Sequence, residues 1–97
     1  MVQSFGSEGT RDVFDGRNSK AARRTCHRTL WSVARRKLDQ LNQAESLADV
    51  RVPHRNQLEK LRGNRAGQHS IRVNDQYRVC FRWTARGPEG VEIVDYH

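Results

Sequence analysis

The sequence has few cysteines and histidines and no long hydrophobic run. Its two cysteines lack a C-x-x-C spacing and are too few for a disulfide framework, so we expect reduced thiols that serve as small packing residues. No apolar stretch approaches the about 20 residues of a membrane span. The first residues, MVQSFGSEG, lack the basic start and apolar stretch of a secretion signal. These absences argue against a membrane or secreted protein, and we expect a cytoplasmic one.

Metal ligands are also scarce. The four histidines are scattered without ligand spacing, and neither cysteine adds to a ligand cluster. The sequence therefore predicts no metal site.

Arginine, by contrast, is abundant. The formal net charge is +7, and 15 of the 18 basic residues are arginines. Residues 55–86 contain eight Lys or Arg against only Glu59 and Asp75. The planar guanidinium forks onto phosphate oxygens and stacks on bases, which makes nucleic acid the obvious partner class. A basic surface without a specific ligand fits the charge alone as well.

The length of 97 residues predicts one domain, residues 1–97, with a modest core. The composition is 35% hydrophobic and 30% charged, which is polar for a globular chain. The apolar residues are nevertheless clustered and periodic, so we expect a folded domain and not a disordered segment.

The first 26 residues give short local signals. Residues 2–5 predict a short opening strand. Ser7 is a candidate N-cap for a brief helix that Gly16 ends. Residues 19–26 are small and basic, and their pattern leaves irregular chain and an early helical turn both open.

A helix over about 29–43 has the clearest pattern, with Thr29 as its candidate cap. Its predicted apolar face consists of Leu30, Val33, Ala34, the stem of Lys37, Leu38 and Leu41. Beyond it, Ser46 and Asp49 have capping-box-like spacing for a single turn, before Pro53 breaks regular structure.

The second half of the chain predicts a loop followed by strands. The stretch 54–68 ends in a loop with Gly63 and Gly67 on either side of Arg65. NDQ and TARGPEG link three predicted strands, at 69–73, 77–83 and 91–96. The element order strand–helix–helix–three strands predicts an α+β fold.

The segment QYRVCFRW, residues 76–83, predicts a strand with an unusual polar face. Its apolar face consists of Tyr77, Val79, Phe81 and Trp83, and its other face of Arg78, Cys80 and Arg82. If residues 74–76 form a three-residue loop, Ile71 opposes Val79 and Arg72 opposes Arg78.

Two like charges across a strand pair are destabilising, so this register needs an explanation. A bound phosphate would supply one. The alternatives are that both arginines splay into water, or that each pairs with a carboxylate such as Glu92 on the neighbouring strand. The spacing alone leaves these explanations open.

LEKLRGNRAGQHSIRVNDQYRVCFRW and the terminal VDYH closely resemble the HigB toxins. These are the "plasmid maintenance system killer protein" branch of the RelE superfamily of type II toxin–antitoxin systems. WSVARRKLDQLNQA and SLADVRVP extend the resemblance upstream, whereas residues 6–28 match loosely. The resemblance implies a compact α+β domain, with helices packed on one face of a small, mostly antiparallel sheet.

The resemblance also implies an activity and partners. Such toxins cleave messenger RNA in the aminoacyl site of the translating ribosome, without a metal or another cofactor. A cognate HigA-like helix-turn-helix antitoxin holds the toxin, which reaches operator DNA only through the antitoxin complex.

The implied catalytic residues lie in three motifs. Arg78 of QYR faces the scissile phosphate in such toxins, and the terminal DYH supplies Asp95, Tyr96 and His97. LRG gives Arg62 where many relatives have lysine. Some relatives also have a histidine at the position of Glu59, which leaves the general base open here. We further expect four basic side chains to hold RNA phosphates: Arg65, Arg72, Arg82 and Lys60.

These residue types suit metal-free RNA cleavage. The 2′-hydroxyl attacks its own 3′ phosphate, so the site needs a base, cations for the growing charge and an acid for the 5′ oxygen. The imidazole of His97 is the candidate whose ordinary pKa lies nearest neutrality. Tyr96 can stack on a base or exchange a proton. Arg78 and Arg62 cannot act as bases, so we expect them to stabilise charge and orient the phosphate.

Two other functions stay open. One is a non-catalytic basic module that binds RNA or DNA, for example in transcriptional repression. The other is a degenerate toxin that acts mainly in operon repression with its antitoxin. In a binding module, Tyr96 would be a ring packed at the sheet edge and His97 a frayed terminal residue.

Overall fold

The computed structural model describes residues 1–96, so His97 lies outside the described residues. Three α-helices precede a four-stranded antiparallel sheet of order β1-β2-β3-β4 in this part of the chain. The elements are α1 (Glu8–Asp15), α2 (Lys20–Thr25), α3 (Trp31–Gln43), β1 (Glu59–Lys60), β2 (His69–Arg72), β3 (Tyr77–Thr84) and β4 (Gly87–Asp95). Short 3₁₀ turns cover Arg28–Leu30, Leu47–Val50, His54–Asn56 and Gly63–Arg65. The predicted α+β class is confirmed.

The helices cover one face of the sheet. α1 and α3 both contact β4, α3 also contacts β3, and α2 packs against α1. The core between the layers is formed by Val13, Ala34, Leu38, Leu41, Ile71, Val79, Phe81, Val91 and Ile93. The predicted apolar face of β3 is confirmed, since Tyr77 and Trp83 pack against this core half-buried. The opposite face of the sheet, which carries Arg72, Arg78 and Arg82, is called the arginine face below.

The predicted helix starts are partly confirmed. The Ser7 side chain accepts a hydrogen bond from the Thr10 backbone N–H (3.2 Å), and α1 ends at Gly16 with φ of 78°. Residues 19–26, left open by the sequence, contain α2. The predicted cap Thr29 is wrong, because it lies inside the 3₁₀ turn that precedes α3 and His27 Nδ1 caps that turn.

The predicted turn before Pro53 is also confirmed. Asp49 Oδ2 accepts a hydrogen bond from the Ser46 backbone N–H (3.1 Å). The predicted opening strand is reduced to one parallel bridge, between Phe5 and Val91.

The strands differ from the prediction mainly at β4. The register Ile71–Val79 and Arg72–Arg78 is confirmed. β4, however, begins at Gly87 and not at 91, because Pro88 is tolerated there and Gly90, with φ of 61°, occupies a bulge opposite β3.

Candidate active site

The paired arginines of β2 and β3 have separate partners. The Arg72 guanidinium forms an ion pair with Asp75, whereas that of Arg78 turns toward β1 and lies 3.9 Å from a Glu59 carboxylate oxygen. Glu92, which the sequence analysis gave as an example of such a carboxylate, pairs instead with Arg65 (3.7 Å). The repulsion predicted from the register is therefore relieved by carboxylates of neighbouring segments.

Arg78 is buried and firmly held. It exposes only 6% of its surface. Its Nε donates to Ser70 Oγ (2.7 Å), and its Nη2 donates to the Gln57 carbonyl and, more weakly, to the Ser70 carbonyl (3.4 Å). Three acceptors on two other segments fix the guanidinium plane, which makes it a preorganised cation.

The Gln57 carbonyl is directed at Arg78 by an unusual backbone conformation. Gln57 has φ of 45° and ψ of 57°, in the left-handed region that few non-glycine residues occupy. Such a conformation costs about 1–2 kcal/mol. Its backbone N–H donates to the His54 carbonyl, and its own carbonyl accepts from the guanidinium. Backbone strain of this kind is concentrated at functional sites.

Tyr96 lies against the same guanidinium. Its ring centroid is 5.7 Å from Arg78 Cζ, and 45% of the residue is exposed. Its backbone N–H donates to the Gln76 carbonyl (2.7 Å), which extends the pairing of β3 and β4 by one residue. The structure thus brings together Arg78 and Tyr96, two of the predicted site residues, and leaves part of the tyrosine residue exposed.

Lys60 and Asp95 lie on the other face of the sheet. Lys60 pairs with His69, which in turn pairs with the core residue Phe81. Asp95 pairs with Tyr77 and accepts a hydrogen bond from the Gln76 side chain (3.0 Å). Strand alternation therefore separates both residues from Arg78.

The remaining basic side chains that the sequence predicted for the site lie on the arginine face or in the loop beside it. Arg65 donates to the Gln68 side chain (3.1 Å). Arg82 is exposed on β3, with one long contact to the Gly67 carbonyl (3.5 Å). Arg62 is exposed at the start of the 3₁₀ turn Gly63–Arg65. His97, a candidate for proton transfer, lies outside the described residues.

Cys80 and His69, on neighbouring strands, are among the groups whose pKa values are shifted. Burial raises the pKa of the Cys80 thiol, against the opposing effect of the Arg65 and Arg78 charges. Burial and the Lys60 charge lower the pKa of His69, whose Nδ1 is buried without a hydrogen-bond partner in the described part of the chain. Cys80 is therefore a protonated thiol at neutral pH, and His69 a neutral imidazole on the helix side.

The sequence did not predict that Ser70, Gln57 and Glu59 contact Arg78, although it named Glu59 as the position where some relatives have a histidine. Ser70 shares the face of Arg72 by strand alternation, so a period-two pattern could have indicated it. The other two lie in residues 54–68, where no periodicity indicated a strand or fixed which side chains face the sheet.

Neither a metal cluster nor a membrane span is found in residues 1–96. No group of three or more His, Cys, Asp or Glu side chains has the arrangement of a metal site in this part of the chain. No helix there has the length and apolarity needed to cross a bilayer.

Comparison with known proteins identifies the family of this chain. A family model described as the RelE-like toxin of the type II toxin–antitoxin system HigB matches residues 7–97. Toxin HigB-1 of Vibrio cholerae is 44% identical over 61 residues, which are 63% of this chain and 60% of that protein. An uncharacterized protein of Haemophilus influenzae is 41% identical over 54 residues, 56% of this chain and 54% of that one. The matches thus span a little over half the length of these relatives. Since the family model covers nearly the whole sequence, the chain belongs to the HigB-like toxins of the RelE-like type II toxin–antitoxin systems.

Proposed function

We propose that this chain is a ribosome-dependent endoribonuclease, which cuts messenger RNA in the aminoacyl site and so inhibits translation. The observation that carries the proposal is the preorganised guanidinium of Arg78 in contact with the Tyr96 ring. In a HigB-like toxin, this pair combines a fixed cation for a phosphate with an aromatic surface for a base. The protein acts in the cytoplasm, where messages are translated.

The proposed reaction forms a bond between the 2′ oxygen and phosphorus and breaks the bond from phosphorus to the 5′ oxygen. Arg78 stabilises the charge that grows on the phosphate oxygens, and Arg62 orients the phosphate from its loop. Because Arg78 is covered in the structure, RNA binding displaces the Tyr96 ring, which then stacks on a base. His97 stays a candidate for proton transfer, whereas Asp95 faces the helix side of the sheet, away from Arg78.

RNA is held by the arginine face and the loop beside it. Arg65, Arg72 and Arg82 contact phosphates there, each giving up a contact within the chain. Lys60 lies on the other face of the sheet. It contacts RNA only if the RNA chain passes around β1, the edge strand of the sheet.

The proposed partners follow from the family. A HigA-like helix-turn-helix antitoxin binds the toxin, and the two together contact operator DNA. The ribosome presents the message to the site.

The test compares naked message with the same message programmed on ribosomes, each with toxin that has and has not been dialysed against a chelator beforehand, because a chelator in the reaction would remove the Mg²⁺ that ribosomes need. We expect cleavage of the programmed message alone, at the same rate with treated and untreated toxin. Equal cleavage of both RNAs would contradict ribosome dependence, and loss of cleavage with the treated toxin would contradict metal independence.

The alternative function, a non-catalytic nucleic-acid-binding module, makes a different prediction. A binding module tolerates deletion of residues 96–97, whereas the nuclease loses a ring that contacts Arg78. Growth arrest that survives the deletion would favour the binding module or a toxin that acts only in repression.

A further inference from the structure

A small pocket lies on the arginine face, at the end away from Arg78. Five residues line its volume of about 180 Å³: Ser4, Gln68, Arg82, Glu89 and Gly90. Arg82 follows Arg78 by four residues on β3, and a strand rises about 3.3 Å per residue, so the two backbone positions are about 13 Å apart. The pocket is therefore separate from the proposed cleavage site.

Strand pairing places the polar side chains of this pocket side by side. Arg82 pairs with Glu89 across β3 and β4, and opposite residues of antiparallel strands project from the same face of the sheet. Gln68 directly precedes β2, on the other side of Arg82. Ser4 lies beside β4, where its hydroxyl oxygen accepts a hydrogen bond from the Gly90 backbone N–H (2.8 Å). Gln68, Arg82 and Glu89 thus form a row across three strands.

The two charged side chains of this row are not paired with each other within the described residues. Arg82 and Glu89 are opposite, yet no ion pair joins them in residues 1–96, and no hydrogen bond reaches the Glu89 carboxylate there. Arg82 makes a long contact to the Gly67 carbonyl (3.5 Å). The Gln68 side-chain oxygen accepts from Arg65 (3.1 Å), which leaves its amide N–H groups to donate. The row therefore presents an amide donor, a cationic donor and a carboxylate acceptor, in that order.

We propose that this pocket binds a guanine base of single-stranded RNA, a proposal that rests on the proposed function. Guanine presents, in order along its edge, two adjacent N–H donors at N2 and N1 and two acceptors at O6 and N7. Glu89 accepts from both donors, Arg82 donates to O6, and Gln68 donates to N7. Neighbouring strands are about 4.8 Å apart, a spacing that lets one base span the row. With five N–H donors, Arg82 also reaches a phosphate of the same RNA.

The other bases match this row less well. Adenine has an acceptor at N1, where guanine has a donor, so a lone pair would face the Glu89 carboxylate. Cytosine has an acceptor next to its amino group, and uracil has a single N–H donor between two carbonyl oxygens. A site built to pair with specific donors rejects analogues that lack them. The structural alternative is an ordinary surface pair, in which Arg82 and Glu89 project separately into water and bind no base.

The first experiment titrates the whole chain with the 5′-monophosphates of guanosine, inosine, adenosine, cytidine and uridine, and follows the backbone amide signals of Gly67 and Gly90 by NMR. All five ligands carry the same phosphate, so differences between them report the base. Inosine lacks the N2 amino group. We expect the guanosine nucleotide to bind about tenfold or more tightly than the inosine nucleotide, because a hydrogen bond to a charged group is worth about that factor.

The variant E89Q tests the carboxylate. Its amide has one acceptor oxygen where the carboxylate has two, so we expect the preference for guanosine over inosine to be lost. The control is E45Q, which removes an exposed carboxylate beyond α3 and should keep the preference. Circular dichroism checks that both variants are folded.

A second measurement distinguishes the message from ribosomal RNA as the source of the guanine. Each guanine near the cut is replaced in turn by inosine, and cleavage of the ribosome-programmed message is measured with wild type and E89Q. Slower cleavage at one fixed distance from the cut, by wild type but not by E89Q, assigns the guanine to the message. Weaker ribosome binding by E89Q, without an effect of inosine, assigns it to ribosomal RNA.

The remaining outcomes separate this proposal from the proposed function. Equal affinity for the five nucleotides, or an unchanged guanosine preference in E89Q, overturns the guanine pocket and leaves the proposed nuclease intact. An E89Q variant that changes neither ribosome binding nor the response to inosine also overturns it. A guanosine preference that depends on Glu89, in a protein that cuts no message, supports the pocket and contradicts the proposed function.

Discussion

Arg72 and Arg78 oppose each other across two strands, yet they differ in what they can do. Arg72 is half-exposed beside Asp75, at the end of β2. Arg78 is buried, with hydrogen bonds to Ser70 and Gln57. A side chain with fixed hydrogen bonds loses little entropy when a phosphate arrives, whereas a surface arginine must be ordered by its ligand. We therefore expect Arg78 to act in the chemical step and Arg72 in docking.

We predict that Arg78→Ala retains ribosome binding and loses cleavage. A preorganised donor directed at transition-state charge contributes about 3–4 kcal/mol, or about 10²–10³ in rate. Arg78→Lys keeps the charge without the planar fork, so we expect an intermediate rate. Arg72→Ala is the matched control and should change affinity more than turnover.

Single-turnover cleavage at saturating toxin measures the Arg78 effect. Circular dichroism must accompany it, because Arg78→Ala leaves the buried Ser70 hydroxyl without its donor, at a cost of about 1–3 kcal/mol. An unchanged rate at saturation, with weaker binding alone, would make Arg78 a docking residue.

At the scale of elements, Asn56 connects α3, the 3₁₀ turn Leu47–Val50 and its own turn His54–Asn56 through side-chain hydrogen bonds. It is fully buried. Its side-chain oxygen accepts from Lys37 (2.5 Å), and its amide donates to the Gln40 side chain and to the Val50 carbonyl (3.0 Å each). Burial and the charges of Arg36, Arg55 and Arg72 lower the pKa of Lys37. Asn56 thus fixes the start of the segment that carries Gln57 and Glu59 to the site.

We predict that Asn56→Ala lowers the free energy of unfolding by about 2–3 kcal/mol, because it leaves buried polar groups without partners. Asn64→Ala, at an exposed asparagine of the turn Gly63–Arg65, is the control and should change it by less than about 0.5 kcal/mol. Urea unfolding of both variants measures the difference. Equal midpoints for the two variants would show that the buried network does not stabilise the fold.

The elements also show how far the sequence could predict this site. α3 and the pairing of β2 with β3 were predictable because apolar residues recur with the right period and the link between the strands is short. The conformation of residues 54–68 was not predictable, since it depends on the buried Asn56 and on the left-handed Gln57. The burial of Asn56 and the conformation of Gln57 both depend on tertiary contacts. The sequence therefore indicated Arg78 and Tyr96 but not the carboxylate that β1 brings to Arg78 at the edge of the sheet.

At the scale of the whole molecule, the two faces of the sheet differ in composition. The helices bury the core against one face of the sheet, and the opposite face carries Arg72, Arg78 and Arg82. A net charge of +7 attracts any nucleic acid, and the position of each charge on the surface decides which contacts are made. The arginine face, and not the total charge, should determine binding.

We therefore predict that ribosome binding weakens with salt, with a slope set by the phosphate contacts of the arginine face and its loop. Each contact contributes about 0.7–0.9 to the slope of log affinity against log salt, because counterions are released. Arg65→Ala should reduce the slope by about one contact. Arg23→Ala removes the same charge from α2 on the helix side and should leave the slope unchanged. Equilibrium binding between low and high salt measures both. Equal losses in the two variants would mean that total charge governs docking, and a flat salt dependence would contradict electrostatic docking altogether.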